Sequence, residues 1–243
     1  MHYIMDVRSL KNLVQKHDVF AVFVANIIHD FEHPGYSNQF IVRTKHPIAI
    51  RYSDNCVLEN HHLAAAFQLI LKKDQCNIMK NIPYSVYREV RKLIIEIVLN
   101  TDMSQHFSIM TLLKTKLGNS FPSDHIDDRT LVLSVLLRTC DLFKVVRDGR
   151  SVFNKWMDFH FEEYWKQGDM EKTLDLPISK FMDRENTNKE KAYLNYIQVV
   201  CKPLLTTFFI LIQDDEDNSV IFKEGLEKNR KSLETRIDEN SGK

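Results

Sequence analysis

Two short segments hold most of the residues in this chain that can do chemistry. The first is His29-Asp30-Phe31-Glu32-His33-Pro34-Gly35 and the second is Val57-Leu58-Glu59-Asn60-His61-His62. Together they carry four histidines and three acids, more than a solvated surface needs. His29 and Asp30 are adjacent, so one backbone position offers an imidazole nitrogen and a carboxylate oxygen to the same place. That donor mix suits zinc or a harder divalent ion such as magnesium or manganese. Taken alone, the pair reads better as a buried histidine satisfied by an acid. His29 and His33 are four apart and would share a helix face, but Pro34 limits how far a helix continues there.

The neighbouring elements must deliver these groups. Val7 to Ile28 reads as helix with a polar break near Gln15 to Asp18, and its apolar run Val19 to Ile28 would bring His29-Asp30 to the end of a core helix. Pro34-Gly35 forces a turn. Asp54-Asn55 reads as a turn before a helix that carries Glu59 and His62. A further helix starts near Pro83, with Val86, Val90, Leu93, Ile94, Ile97 and Val98 at the helical period; it ends in Leu99-Asn100-Thr101-Asp102-Met103. Asn119 to Asp128 is loop by composition, and Asp128 can cap the next helix. That helix, apolar from Leu131 to Leu137, reaches Arg138-Thr139-Cys140-Asp141, so a second acid ends a second buried helix. Lys144 to Arg150 reads as a charged loop. Val152 to Trp165 is aromatic-rich helix, stopped at Gln167-Gly168-Asp169. Lys189 to Ile212 is helix kinked near Pro203, Asp214 to Asp217 an acidic turn, and Ser219 to Ile237 a last amphipathic helix.

Bulk properties narrow the class. The chain has 243 residues, a formal charge of zero, and only six glycines and six prolines. Few turn formers favour long helices, so the fold class expected is all-α in one domain, 1–237, with 238–243 a disordered tail. The charge balance argues against a nucleic-acid or anionic-membrane footprint. Cys56, Cys76, Cys140 and Cys201 form no CxxC pair and read as reduced core thiols of a cytoplasmic protein. No segment reads as long enough to span a bilayer, because the best candidate, Val199 to Ile212, is broken at Lys202-Pro203. Met1 to Asp6 shows neither a signal-peptide pattern nor a helix cap, so the chain reads as beginning inside an element.

With these residues in view, the chain resembles the class I 3′,5′-cyclic-nucleotide phosphodiesterase catalytic domain, a compact multi-helix domain of HD type. The match runs through His29-Asp30, His33-Pro34-Gly35, Asn38 and Phe40. It continues through Leu58 to His62, Thr101 to Met103, Gln167 to Asp169, Met182 to Arg184 and Pro203. His2 to Met5, placed ahead of His29, looks closest to the calmodulin-dependent branch. The resemblance implies two divalent ions, zinc and magnesium (or manganese), and a cyclic nucleotide, cAMP or cGMP, as substrate. It makes His29, Asp30 and Asp141 metal ligands converging on a shared cation. His33, Glu59, His62, Thr101 and Asp102 would surround them, and Met103, Tyr193 and Tyr196 would lie at the substrate. It also admits a homo- or hetero-dimer with another phosphodiesterase subunit.

Three departures bear on activity. The family's His-Asn-x-x-His stretch, which supplies a proton-donating histidine and one more metal histidine, is absent; by register it would fall just upstream of Met1. No catalytic histidine is therefore assigned. Arg138 stands where the family usually opens His-Ala-Ala-Asp, and the Ser-His/Asn-Pro that follows is replaced by Phe143-Lys144-Val145. Tyr193 falls where the family reads the purine with a glutamine, offering one hydroxyl in place of an amide's donor and acceptor. Two functions are thus expected in competition: hydrolysis of cyclic nucleotides, or a catalytically impaired paralogue that binds or regulates.

Overall fold

The computed structural model describes residues 14–117, 125–147, 150–212 and 216–241. The described residues are helical, with no strand among them. The chain divides into two compact units within the stretch expected as one domain. The first is Met1–Cys140 with Leu211–Asp214, and the second is Asp141–Ile210 with Asp215–Lys243.

The first unit is built on α1 (Lys16–Ile28), α2 (Asn38–Arg43), α3 (Pro47–Arg51) and α4 (Val57–Lys72), followed by α5 (Tyr84–Leu99), α6 (His106–Leu117) and α7 (Ile126–Asp141). Residues 1–13 lie outside the described residues, so the expected helix from Val7 is described only from Lys16. Asp18, at the polar break, opens α1: its carboxylate accepts the Gln15 N–H at 2.9 Å and the Arg129 Nε–H of α7 at 3.0 Å. The periodic face of α5 is buried as expected, with Val90, Leu93, Ile94, Ile97 and Val98 nearly solvent-free. Each such burial contributes about 1.5–3 kcal/mol. α2, α3 and the start of α4 close a small core of Ile41, Ala49, Val57 and Leu58. α7 is buried on every side from Asp128 to Thr139. Asp128 is not its cap, because the helix already begins at Ile126. Asp128 sits inside the first turn, where Lys116 donates to it at 2.5 Å.

The second unit holds α8 (Arg150–Thr173), α9 (Lys189–Tyr196), α10 (Lys202–Ile212) and α11 (Glu216–Ser241). α8 does not stop at Gln167-Gly168-Asp169; it continues to Thr173. Gly168 is there because another chain segment crosses it: a Cβ would lie 1.8 Å from the Met182 carbonyl oxygen. One turn on, buried Glu171 accepts from Ser179 N (2.6 Å), Ser179 Oγ (2.7 Å) and Gln167 Nε2 (3.0 Å), which pins the crossing segment. Leu142–Val145 forms a 3₁₀ turn that overlaps the start of the expected charged loop, Lys144 to Arg150. α11 presses Gly225 against Val146, where a Cβ would meet the carbonyl oxygen at 2.0 Å, and Asn229 donates to Val145 O at 2.8 Å. α11 also carries residues 238–241 as helix, where a tail was expected. Of the acidic turn expected at 214–217, residues 214 and 215 lie outside the described residues, and Glu216 and Asp217 already belong to α11.

The expected kink near Pro203 is a π turn, Ile197–Cys201, between α9 and α10. Proline has no N–H, so the carbonyl four residues earlier, at Val199, loses its helical donor and the ladder slips upstream of Pro203. Unbroken in sense, Lys189–Ile212 is 24 residues long and, by length and composition alone, apolar enough to cross a bilayer. That corrects the reading that broke it at Pro203. Its residues Tyr193, Ile197, Cys201, Leu204, Leu205 and Phe208 are buried in the fold, as they would be in a core helix. The four cysteines form no disulfide; Cys201 is buried and the other three are half-buried.

Candidate functional site

In the first unit the two histidine-rich segments meet at the end of α1 and the start of α4. α1 ends at Ile28, and His29 follows as its C-cap. The His29 ring donates from Nδ1 to the Asn26 carbonyl at 2.9 Å, which in the neutral ring leaves Nε2 as the lone-pair nitrogen. Nε2 is buried, makes no hydrogen bond among the described residues, and lies 3.5 Å from Asp30 Oδ2. Two lone pairs facing each other at that range repel unless a cation or proton lies between them. His33 lies beyond the helix, so it does not share a helix face with His29. It accepts the Gly35 N–H at Nδ1 and its ring stacks on His62 at 5.6 Å.

Cys56 is the N-cap of α4, and its φ of 42° is left-handed. Asn38, from the start of α2, completes that beginning. Its Oδ1 accepts the Leu58 N–H at 2.9 Å, and its Nδ2 donates to Glu59 at 3.0 Å. Glu59 is held well inside, and burial raises its carboxyl pKa, with further upward pushes from Asp102 and Asp30. His62, 2 % exposed, donates from Nδ1 to the Phe31 carbonyl at 2.7 Å. Burial pushes its pKa down to about 4, so the ring is neutral at pH 7. His61 points away from this group, to Glu32 at 3.2 Å.

The turn after α5 brings the third part. Thr101 donates its hydroxyl back to Val98 O at 2.7 Å, and Asp102 caps the following 3₁₀ turn by accepting Ser104 N at 2.8 Å. The Cys56 thiol donates to Asp102 Oδ2 at 3.5 Å, and burial together with that acid pushes its pKa up to about 11. Donor atoms of Cys56, Glu59 and Asp102 all lie within 4.8 Å of one another, a spacing that could hold a metal ion. Met103 is half-exposed beside them. Arg138, 4 % exposed, turns its guanidinium to this turn. It donates to the carbonyls of Asn100 and Asp102 (the latter at 2.7 Å), to Met103 Sδ at 3.7 Å, and faces His106 Nδ1 at 3.4 Å.

The second unit holds the other expected site residues. Asp141 is exposed, with Lys144 Nζ 3.8 Å from its carboxylate. Tyr193 is 2 % exposed, its ring edge-on to Phe153 at 5.5 Å, and its hydroxyl has no hydrogen-bond partner among the described residues. Tyr196 packs beside Tyr193 and His160, with centroids at 5.7 and 5.8 Å. Burial raises both phenol pKa values and drives His160 down to about 4.

A family model described as 3′5′-cyclic nucleotide phosphodiesterase matches residues 1–219. The chain belongs to the 3′,5′-cyclic nucleotide phosphodiesterase family. It is 34% identical over 246 residues to a Caenorhabditis elegans protein described as a probable 3′,5′-cyclic-AMP phosphodiesterase, pde-4, covering 98% of this chain and 36% of that protein. It is 38% identical over 199 residues to the human high affinity cGMP-specific 3′,5′-cyclic phosphodiesterase 9A, covering 82% and 33%. It is 36% identical over 203 residues to the Drosophila melanogaster dual specificity calcium/calmodulin-dependent 3′,5′-cyclic nucleotide phosphodiesterase 1, covering 84% and 24%. The chain thus spans about a third or less of the length of these relatives.

Within this phosphodiesterase fold, the first unit brings together Asp30, His33, Glu59, His62 and Asp102 as electrostatic neighbours. Three residues there went unassigned or unconnected in the sequence. Cys56 gave no signal, because its partner Asp102 is 46 positions away. Asn38 was visible as a motif residue, but its hold on Glu59 was not. Arg138 stood out as a departure, yet nothing in the sequence pointed it at the Asn100–Met103 turn.

Proposed function

We propose that this chain hydrolyses 3′,5′-cyclic nucleotides to 5′-monophosphates, in the cytoplasm and with two divalent ions, zinc and magnesium (or manganese). The observation that carries the reading is the His29–Asp30 pair, whose Nε2 and Oδ2 face each other at 3.5 Å with the Nε2 lone pair unused. An arrangement of that kind favours a cation. Asp30 shares its surroundings with Glu59, His62 and Asp102, and their donor set of neutral imidazole and carboxylate fits zinc and magnesium chemistry. His29, Asp30 and Asp141 are the proposed ligands, with His33, Glu59, His62, Thr101 and Asp102 around them.

When bound, the ions would offset the charge of the cyclic phosphodiester and acidify a coordinated water. The chain's own groups do the rest. The Asn26 and Phe31 carbonyls hold His29 and His62 in one tautomer each. Asn38 keeps the Glu59 carboxylate turned toward Asp102. Met103 and Tyr196 are the proposed nucleotide neighbours, whereas Tyr193, expected with them, is sealed in the fold. Relatives described as cAMP-type, cGMP-specific and dual-specificity all match, so both nucleotides belong in the assay. The leaving 3′ oxygen needs a proton, and its absence alone costs about 10²–10⁴-fold in rate. The 243 residues contain no His-Asn-x-x-His to supply it.

A second reading is favoured by Tyr193, whose hydroxyl is sealed inside the fold. A buried phenol presents nothing to a purine edge, which fits an impaired paralogue that binds or regulates, as a dimer with an active phosphodiesterase subunit. One experiment separates the readings: metal content and hydrolysis of cAMP and cGMP, on this chain and on an N-terminally extended one. Hydrolysis by the extended chain, lost in Asp30→Asn, supports the enzyme. Metal-loaded but inactive protein in both forms supports the regulator. No bound metal in either refutes the proposed centre.

A further inference from the structure

Cys56 is a donor that the proposed metal centre leaves unused. As the N-cap of α4 it stands one helical turn before Glu59, and the turn after α5 brings Asp102 against it from 46 positions away. Its Sγ, a Glu59 oxygen and an Asp102 oxygen all lie within 4.8 Å of one another. Around a tetrahedral zinc ion, with Zn–S of about 2.3 Å and Zn–O of about 2.0–2.2 Å, sulfur and oxygen stand about 3.5 Å apart. Cys56 Sγ and Asp102 Oδ2 are already 3.5 Å apart. Both acids keep lone pairs for an ion. Ser104 N donates to Asp102 Oδ1 at 2.8 Å, which leaves Oδ2 for the thiol. Asn38 spreads one Nδ2 over the two Glu59 oxygens, at 3.0 and 3.3 Å, on a carboxylate with about four acceptor sites. Glu59 is 8 % exposed, whereas Cys56 and Asp102 are half-buried, so an ion has a way in and water can take its fourth position.

The electrostatics agree with the distances. Burial raises the pKa of both the Cys56 thiol and the Glu59 carboxyl, and Asp102 pushes both up further. The three groups therefore oppose one another's charge, and a dication among them removes that opposition. Arg138 already brings one positive charge to the same turn, at the Asn100 and Asp102 carbonyls. Two carboxylates and a thiolate against one guanidinium still leave room for two positive charges. The donor set also selects the ion. Magnesium takes oxygen ligands, whereas a thiolate suits zinc.

We propose that Cys56, Glu59 and Asp102 form a zinc site of their own, in which Cys56 binds as the thiolate and its proton leaves to water. The inference rests on the proposed function only in that Glu59 and Asp102 also border the proposed centre; His29, Asp30 and Asp141 take no part in it. The test loads the metal-free full chain with cobalt(II), a zinc surrogate, and reads the thiolate-to-cobalt charge-transfer absorption in the near ultraviolet. The band is expected in the parent and in Asp30→Asn, and should be lost in Cys56→Ser, with circular dichroism melts to check that the variants fold. A second measurement needs no variant: alkylation of Cys56, followed by peptide mass spectrometry. Zinc should slow it about tenfold or more while half-buried Cys76 reacts as before, and magnesium should not slow it. A parent without the band, a band that survives Cys56→Ser, or equal protection by magnesium would each overturn the proposal. Loss of the band in Asp30→Asn would overturn it too, by assigning the thiolate to the proposed centre. Hydrolysis is read separately, so an inactive chain that shows the band keeps this zinc site and refutes only the enzyme reading.

Discussion

Arg138 offers the sharpest test of how the Asp102 turn is held. Replace it with methionine, which keeps most of the volume and removes the donors. The Asn100 carbonyl, at the C-cap of α5, and the Asp102 carbonyl each lose a charged donor. Hydrogen bonds from a charged group contribute about 1.5–3 kcal/mol apiece, a gross loss of about 3–6 kcal/mol. Removing a buried guanidinium recovers part of its desolvation cost, so a net loss of about 2–4 kcal/mol is expected. In a chain of this length each kcal/mol shifts Tm by about 2–4 °C, giving a drop of about 4–16 °C for Arg138→Met. Arg138→Lys, which keeps the charge but only part of the fork, should fall between the two. The assay is thermal melting by circular dichroism, paired with hydrogen exchange at Thr101 to His106, where protection should fall selectively. A methionine variant that melts within about 1 °C of the parent, with unchanged exchange at the turn, would refute the reasoning.

Two further outcomes follow from the same geometry. His62 and His160 both have folded pKa values near 4 against 6.5 unfolded. A depressed folded pKa gives stability that is present above pH 6.5 and lost as pH falls toward 4, on the order of 2–3 kcal/mol for each ring. Melting temperature should therefore fall steeply between pH 6.5 and 4, and His62→Gln should flatten that slope; an unchanged profile would contradict the burial argument. Gly168→Ala puts a Cβ 1.8 Å from the Met182 carbonyl oxygen, a collision with backbone that no rotamer relieves. It should cost more than about 3 kcal/mol, and a variant melting like the parent would show that the Met182 segment yields.

Periodicity carries information only where one face of a helix does one job, and the sequence was legible to that extent. α5 could be read to the residue because Val90 to Val98 repeat at the helical period and all face inward. The start of α4 was legible from the turn formers Asp54-Asn55, and the end of α7 from the polar residues that follow its apolar run. Gly168 misled because a glycine inside a helical run looks locally like a stop. Its cause is the Met182 carbonyl, 14 positions on and invisible to local pattern. Asp128 misled similarly: its composition is that of a cap, but Lys116 draws it inside the first turn. Pro203 was placed correctly as an interruption, yet its consequence appears upstream, where the unpaired carbonyl lies. At the site, residue types announced the chemistry of His29, Asp30, Glu59 and His62. Their restraint by Asn38 and by the Asn26 and Phe31 carbonyls depends on chain reversals that no spacing encodes.

Those restraints explain why this cluster is more than a concentration of polar residues. A neutral imidazole can place its proton on either nitrogen, and a mobile ring would present donor and acceptor alternately. Here both relevant rings are committed through Nδ1, His29 to a carbonyl of its own helix and His62 to the loop that follows that helix. Glu59 is likewise committed by Asn38, which also completes the helix that carries it, so misplacing the carboxylate would cost the start of α4 as well. His29 Nε2 is then fixed in place, and Asp30 Oδ2 faces it at 3.5 Å from an exposed side chain. Fold stability and donor geometry are coupled at these positions. A substitution at Asn38 should therefore disturb helix and site together, whereas one at exposed Asp30 should disturb the site alone.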